Sequence, residues 1–363
     1  MTVLTLEENR ARRDAAIRDK RSVATHLPSE LTVAATDRCN LRCVMCGTHH
    51  PQEGARNAGC SDFPAHLIRK LEGMTAGAER IQVHGGGGEP MMSRTFWDWV
   101  ALFAGNKSAQ IEFNTNGLFL SPPNIERLMQ QRVGFISVSL DAASPEVYRK
   151  IRGGDWTHLM RNVEALSKAR RESRPEMRLA LNMTVMRENA REMPGLVRLA
   201  HELAIDEVQF YKLNAGPQYS WKERTRDGYS FDYRENLPEN NVTHIRPFLE
   251  EAISLAPQLG IRLEVDPRLH GVVAPAAPPP DHSPSTVQYS HCSAPWRWLS
   301  VTARGDVFPC CHAVAPLGNL EEAESLREIW NGPALRRLRT NVANNQIDPI
   351  CKGASCIYVM PQT

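Results

Sequence analysis

Residues 31–46 read LTVAATDRCNLRCVMC, and residues 80–90 read RIQVHGGGGEP. Each is a short β-rich run that empties into a loop carrying chemistry. In the first loop, Cys39, Cys43 and Cys46 follow at a Cys-x3-Cys-x2-Cys spacing. In the second, four glycines precede Glu89. The same rhythm continues through QIEFNTN (110–116), FISVSLDA (135–142), RLALNMTVM (178–186) and EVQFYKLN (207–214). Helical patterns fit between them near 64–73, 95–105, 124–132, 157–172 and 193–204. Strands alternating with helices predict βαβ units and a parallel sheet. Six units with right-handed crossovers predict an α/β fold, a partial (β/α)6 TIM-like barrel. Ligands should then sit at the carboxyl ends of the strands, where both loops fall.

Further along, residues 215–244 are polar and irregular, which marks a functional or disordered loop. Its basic and aromatic residues Tyr219, Trp221 and Arg224, with Tyr211 and Lys212 before it, suit either a substrate cavity or a solvated surface. A helix near 245–258 and a strand at 261–265 can add a seventh unit. APAAPPPDHSPS (274–285) has the composition of a stiff linker. The expected division is an N-terminal extension (1–30), the barrel (31–270), a proline-rich linker (271–291) and a small C-terminal domain (292–363).

The 363 residues carry a net charge of +2, which leaves no footprint for nucleic acid or membrane surface. No apolar run reaches the length of a bilayer span. The first 30 residues are charged throughout and lack the apolar core of a signal peptide, so a cytoplasmic protein is expected. Thr5–Arg21 has the pattern of an exposed helix.

Nine cysteines are many for a reducing compartment, where clustering points to metal or catalysis before disulfides. Cys39, Cys43, Cys46 and Cys60 lie early; Cys292, Cys310, Cys311, Cys351 and Cys356 lie late. Three thiolates within eight residues can wrap one face of a metal cluster. A structural zinc ion, with His49 or His50 as fourth ligand, is the competing reading. Glycines without side chains let a ligand lie against the backbone, and Glu89 can receive an ammonium group. Ser139, Asp141 and Asn116 stand at strand ends, where polar residues either meet a ligand or form turns.

The Cys39-x3-Cys43-x2-Cys46 triad and the Gly87-Gly88-Glu89 segment, in this strand order, resemble the radical S-adenosylmethionine superfamily over residues 31–214. The resemblance implies a 4Fe–4S cluster on Cys39, Cys43 and Cys46, whose open iron chelates S-adenosylmethionine. It implies Gly87, Gly88 and Glu89 around the methionyl ammonium and Ser139 and Asp141 near the ribose. Asn116 and Asn182 follow as candidates around the cofactor. Met45 stands where an aromatic residue is frequent and can pack on adenine. One electron from the cluster then yields a 5′-deoxyadenosyl radical that abstracts hydrogen from a C–H bond. A low-potential flavodoxin or ferredoxin is the implied electron donor.

The tail carries GDVFPC (305–310), LGNL (317–320) and LREIWN (326–331). It resembles the SPASM/twitch domain of the same enzymes, which implies one auxiliary 4Fe–4S cluster on Cys292, Cys310, Cys351 and Cys356. The last pair is spaced CxxxxC where CxxC is usual, so Cys311 competes with Cys310. A strand pair around 298–302 and 307–309, turning at Gly305-Asp306, and a helix from Ser325 to Thr340 are expected here. A zinc tail would suit four cysteines equally. Cys60 and Cys311 are either inert small hydrophobes or hydrogen-atom donors to a substrate radical.

Three functions compete. One is oxidation or epimerisation of a small natural product such as a sugar, aminocyclitol or nucleoside. Another is maturation of a ribosomally made peptide. The third is a non-catalytic iron–sulfur or zinc protein, for which the glycine turn has no use. Peptide-maturing relatives often place a recognition domain before the barrel, and only 30 residues precede the first strand, which favours a small substrate.

Overall fold

The computed structural model describes residues 4–47, 61–84, 87–107, 109–215, 219–225, 227–273, 287–289, 292–352, 356 and 359–361. The strands are β1 (Glu30–Ala34), β2 (Arg80–His84), β3 (Gln110–Thr115), β4 (Val133–Ser139), β5 (Arg178–Val185), β6 (Glu207–Lys212), β7 (Lys222–Arg224), β8 (Ser230–Asp232), β9 (Arg262–Val265), β10 (Val287–Tyr289), β11 (Trp298–Val301), β12 (Asp306–Phe308), β13 (Gly318–Asn319) and β14 (Val359–Pro361). Ten form one sheet in the order β13-β12-β11-β1-β2-β3-β4-β5-β6-β9. From β11 through to β9 every neighbour runs parallel.

Each of the six strand runs expected from sequence forms a strand of this sheet, and β9 adds the seventh parallel unit beside β6. The β period of two sorts the side chains. Val33, Ile81, Val83, Ile111, Phe113, Ile136, Val138, Leu181, Met183, Val208 and Phe210 are wholly or almost wholly buried in the core against the helices. The alternate positions are polar. Asn182 Nδ2 donates to Ser137 Oγ at 2.8 Å, Ser137 Oγ donates to Gln209 Oε1 at 3.0 Å, and Gln209 Nε2 donates to Glu264 at 3.1 Å. A polar face on otherwise buried strands marks the inside of an open barrel that receives polar guests.

Two expectations change. The tail, set apart in the sequence reading by a linker, joins the barrel sheet: Glu30–Val33 of β1 pair in register with Trp298–Val301 of β11. β1 would otherwise be an open edge, and β11 covers it. The single helix expected over 325–340 is two, Leu326–Trp330 and Pro333–Ala343, because Gly332 and Pro333 restart the helix. The hairpin turning at Gly305-Asp306 is present, with β11 antiparallel to β12. The proline-rich stretch 274–285 lies outside the described residues.

The N-terminal helix, Leu6–Arg18, opens on a capping box between Thr5 and Glu8. It is less exposed than its charge pattern suggests. Asn9 is fully buried, and its amide bonds Leu27 O and Gly77 O, each at 3.1 Å, while accepting from Leu27 N. No described helix is long and apolar enough to cross a membrane.

Candidate active site

The cysteine loop leaves β1 at the carboxyl edge of the sheet. It has no regular structure, so its backbone is held from outside. Val44 N donates to Ile151 O at 2.9 Å, and Trp221 Nε1 donates to Val44 O at 2.8 Å. Cys39, Cys43 and Cys46 all line one cavity of about 1050 Å³. Desolvation pushes the Cys43 thiol up to about 12 and raises Cys39. Grouped thiols in such a setting ionise when a metal takes up their charge, which fits a metal cluster.

The glycine turn packs directly on this loop. Glu89 N donates to Arg38 O at 2.7 Å. A Cβ on Gly88 would stand 2.4 Å from that same carbonyl oxygen, so the two loops approach this closely only because Gly88 has no side chain. Gly87 has φ +118°, a backbone that L side chains rarely adopt. Glu89 is 2% exposed. Its carboxylate accepts from Thr115 Oγ1 at 2.8 Å, Asn116 N at 2.6 Å and Met91 N at 3.2 Å. Burial raises its carboxyl to about 7 despite these donors. A cation arriving in the cavity would restore the charge that burial disfavours. That is the setting an ammonium group needs, and the cradle fits the methionyl end of S-adenosylmethionine.

Met45, Gly87, Gly88, Glu89, Asn116, Ser139 and Asn182 line the same cavity. Asn116 bridges the two loops, since its Nδ2 donates to Asn40 Oδ1 at 2.8 Å and its backbone N to Glu89. Asp141 departs from expectation. It is fully buried at φ +59°, away from the cavity wall. Its Oδ2 takes Arg152 Nε and Nη2, and its Oδ1 takes Thr184 N at 2.6 Å. Three donors hold it there, and it is not among the residues that line the cavity where a ribose would lie. Arg152 lines the cavity in its place. The sequence reading missed Arg152, although Ser144-Pro145 and Gly153 mark the start and stop of its helix, Pro145–Arg152.

The cavity continues to the tail, where Cys310 and Cys311 line its far wall with Lys212, Arg268 and Arg304. Cys292 interacts electrostatically with Cys351 and Cys356, and Cys310 with Cys292. Burial pushes Cys292 up to about 11 and Cys310 to about 12. Cys311 interacts in turn with Cys310 and Cys356, so all five late cysteines share one neighbourhood, although no three of the described ones stand close enough to grip a metal ion as they are; Cys311 differs in being exposed and facing Arg268. From the irregular loop, Tyr211, Lys212, Tyr219 and Tyr233 line the cavity, Trp221 is buried behind them and Arg224 is exposed. Cys60, His49 and His50 lie outside the described residues.

Comparison with known proteins agrees with this arrangement. A family model described as the radical SAM superfamily matches residues 33–200, and one described as an iron–sulfur cluster-binding domain, SPASM, matches residues 292–357. The AdoMet-dependent heme synthase of Methanosarcina barkeri is 25% identical over 87% of this chain and 86% of its own length. The PqqA peptide cyclase of Xanthomonas axonopodis pv. citri is 26% identical over 86% of this chain and 77% of its own. The fold is shared with the crystal structure of Streptococcus suis SuiB bound to S-adenosylmethionine, at a TM-score of 0.62 and 14% identity, covering 91% of this chain and 72% of that one. A 4Fe–4S cluster, S-adenosylmethionine and auxiliary iron–sulfur chemistry go with these domains, and the zinc readings fall away. The chain belongs to the radical S-adenosylmethionine superfamily and carries a C-terminal SPASM domain.

Proposed function

We propose that this enzyme oxidises a peptide substrate at a C–H bond presented between its two cysteine groups. The carrying observation is the single cavity that runs from Cys39, Cys43, Cys46 and Glu89 to Cys310 and Cys311. Cys39, Cys43 and Cys46 hold the first cluster. Glu89 takes the ammonium of S-adenosylmethionine, and Gly87 and Gly88 let its chain lie on the backbone. Ser139, Asn182 and Arg152 offer polar contacts to its carboxylate and ribose, and Met45 packs at the adenine end. Bound together, cluster and cofactor supply a hydrogen-abstracting 5′-deoxyadenosyl radical.

Cys292, Cys310, Cys351 and Cys356 hold the auxiliary cluster on the opposite side. A cluster held there would supply an acceptor for one electron, so a substrate that gave up a hydrogen atom at the first site would need to lose only that electron and a proton to solvent. The substrate thus leaves two hydrogens poorer. Lys212, Arg268 and Arg304 line the substrate side, each paired with an acidic residue (Glu239, Asp266 and Asp37), so this wall is polar and charge-balanced and suits polar backbone groups. Similarity to a PqqA peptide cyclase over 86% of the chain supports a peptide. The enzyme works in the cytoplasm with a flavodoxin or ferredoxin as donor.

A small polar metabolite is the second reading. The whole cavity, at about 1050 Å³, barely exceeds the usual ~300–1,000 Å³ of small-ligand sites and must also hold the cofactor. One peptide side chain fits there as readily. Anaerobic incubation with dithionite, S-adenosylmethionine and peptides encoded beside the gene separates the two. Deoxyadenosine release with peptide mass reduced by two hydrogens supports the proposal. Deoxyadenosine release with every peptide unchanged, and a small metabolite consumed instead, favours the second. No deoxyadenosine at all, or its release from a Cys43→Ala variant, would sink both.

A further inference from the structure

The β7–β8 hairpin faces two ways. On one side Tyr219 and Tyr233 line the cavity, their rings stacked at 5.5 Å. On the other, Trp221 is 1% exposed, with its ring centroid 4.4 Å from that of Tyr233. Trp221 Nε1 donates to Val44 O across a separation of 177 residues. Val44 lies between Cys43 and Cys46 and is gripped from its other side by Ile151 O, which accepts its N–H at 2.9 Å. Gly47, directly after Cys46, also meets the hairpin. A Cβ there would stand 3.4 Å from both Trp221 Cη2 and Tyr219 Cε1. Val44, Ile151, Met186, Leu213 and Phe231 complete an apolar cluster around the indole, separate from the main core.

We infer that Trp221 is a positioning residue for the cysteine loop: its indole N–H fixes Val44 and its ring, with Tyr219, closes over Gly47, so that a distant hairpin sets the spacing of Cys43 and Cys46 and keeps water and oxygen from them. The physical need is clear. A loop with no ladder of its own takes its backbone partners from elsewhere, and a cluster tolerates little drift among its ligands. This rests on the assignment of Cys39, Cys43 and Cys46 to the first cluster.

The test is Trp221→Phe, which keeps an aromatic ring and removes the donor. The reconstituted full chain is reduced for electron paramagnetic resonance, and the first-site signal is the one missing from a Cys39→Ala/Cys43→Ala/Cys46→Ala variant. Trp221→Phe should bind iron as the wild type does, give a broadened first-site signal, and lose that signal in air about fivefold faster, the factor one buried hydrogen bond sets on a local opening equilibrium. The auxiliary signal should decay unchanged. Wild-type line shape and decay in Trp221→Phe would overturn the inference while leaving the ligand assignment intact. A triple-cysteine variant that loses no signal would instead overturn the assignment, and the inference with it. If Trp221→Phe does not fold, Tyr219→Leu removes the other ring that closes over Gly47 and must show the same faster decay.

Discussion

Asp141 holds Arg152 in a two-pronged ion pair, with Oδ2 2.7 Å from Nε and 2.6 Å from Nη2. Neither side chain is more than 9% exposed. The pair ties the end of β4 to the end of the helix Pro145–Arg152, and Thr184 N adds a tie to β5. Arg152 therefore reaches the cavity because Asp141 aims it there. Removing one partner strands a buried charge, which costs about 3–5 kcal/mol. Asp141→Ala should lose that much in urea unfolding, whereas Glu146→Gln on the exposed face of the same helix should stay within ~0.5 kcal/mol. A loss no larger than the control would mean that Asp141 does not anchor Arg152.

The Glu89 carboxyl stands at about 7 against an ordinary 4.5, because burial disfavours its charge. With no cation beside it, burial favours the protonated form. Its contribution to stability is full below pH 4.5 and disappears as pH rises through about 7. Cofactor binding runs the other way, since an ammonium wants the carboxylate. Affinity for S-adenosylmethionine should rise about fivefold between pH 6 and pH 7, following the ionised fraction of a group with this pKa, and level off above pH 7.5 as the cofactor's own ammonium, at about 7.7–8.0, loses its proton. Equilibrium dialysis against labelled cofactor measures it. Glu89→Gln should bind weakly and without this slope; a retained slope would assign the titration to another group.

These two carboxylates show what the sequence could disclose. The place of Glu89 in the cavity was legible because it is local: the glycines that cradle it are its neighbours in the chain. The cysteine triad was legible for the same reason. Asp141 was misplaced because its partner lies on a helix whose start and stop signals went unread. Once that helix is in place, the aspartate turns inward. The pairing of β1 with β11 joins residues 268 positions apart and the grip of Trp221 on Val44 residues 177 apart, and no periodicity reports such contacts. The seven parallel units, by contrast, follow from repeated local patterns.

Gly88 offers a steric test of the contact between the two loops. A Cβ placed 2.4 Å from Arg38 O cannot be absorbed by a rotamer change, because the obstacle is backbone. Gly88→Ala should push the glycine turn off the cysteine loop and cost about 1–3 kcal/mol of stability, the usual penalty of overpacking. Calorimetry of the anaerobic protein reads this directly. Deoxyadenosine formation should fall with it, because Glu89 moves with its turn. An undisturbed melting temperature would mean that the loops tolerate separation.

Cys310 and Cys311 are adjacent, yet the fold treats them differently. Cys310 interacts with Cys292, which in turn interacts with Cys351 and Cys356. Cys311 interacts with Cys356 too, and both thiols line the cavity, but Cys311 is exposed and faces Arg268. The more buried Cys310 is therefore the candidate cluster ligand, and the exposed Cys311 the candidate thiol towards the substrate. Cys310→Ser should lower iron from about eight to about four per chain, the content of one 4Fe–4S cluster. Cys311→Ser should keep all of it. The two variants should also differ in product: Cys310→Ser still releases deoxyadenosine but does not complete the oxidation, because the tail can no longer take the second electron. If Cys311→Ser instead loses the iron, the ligand is Cys311, and the thiol that faces the substrate is Cys310.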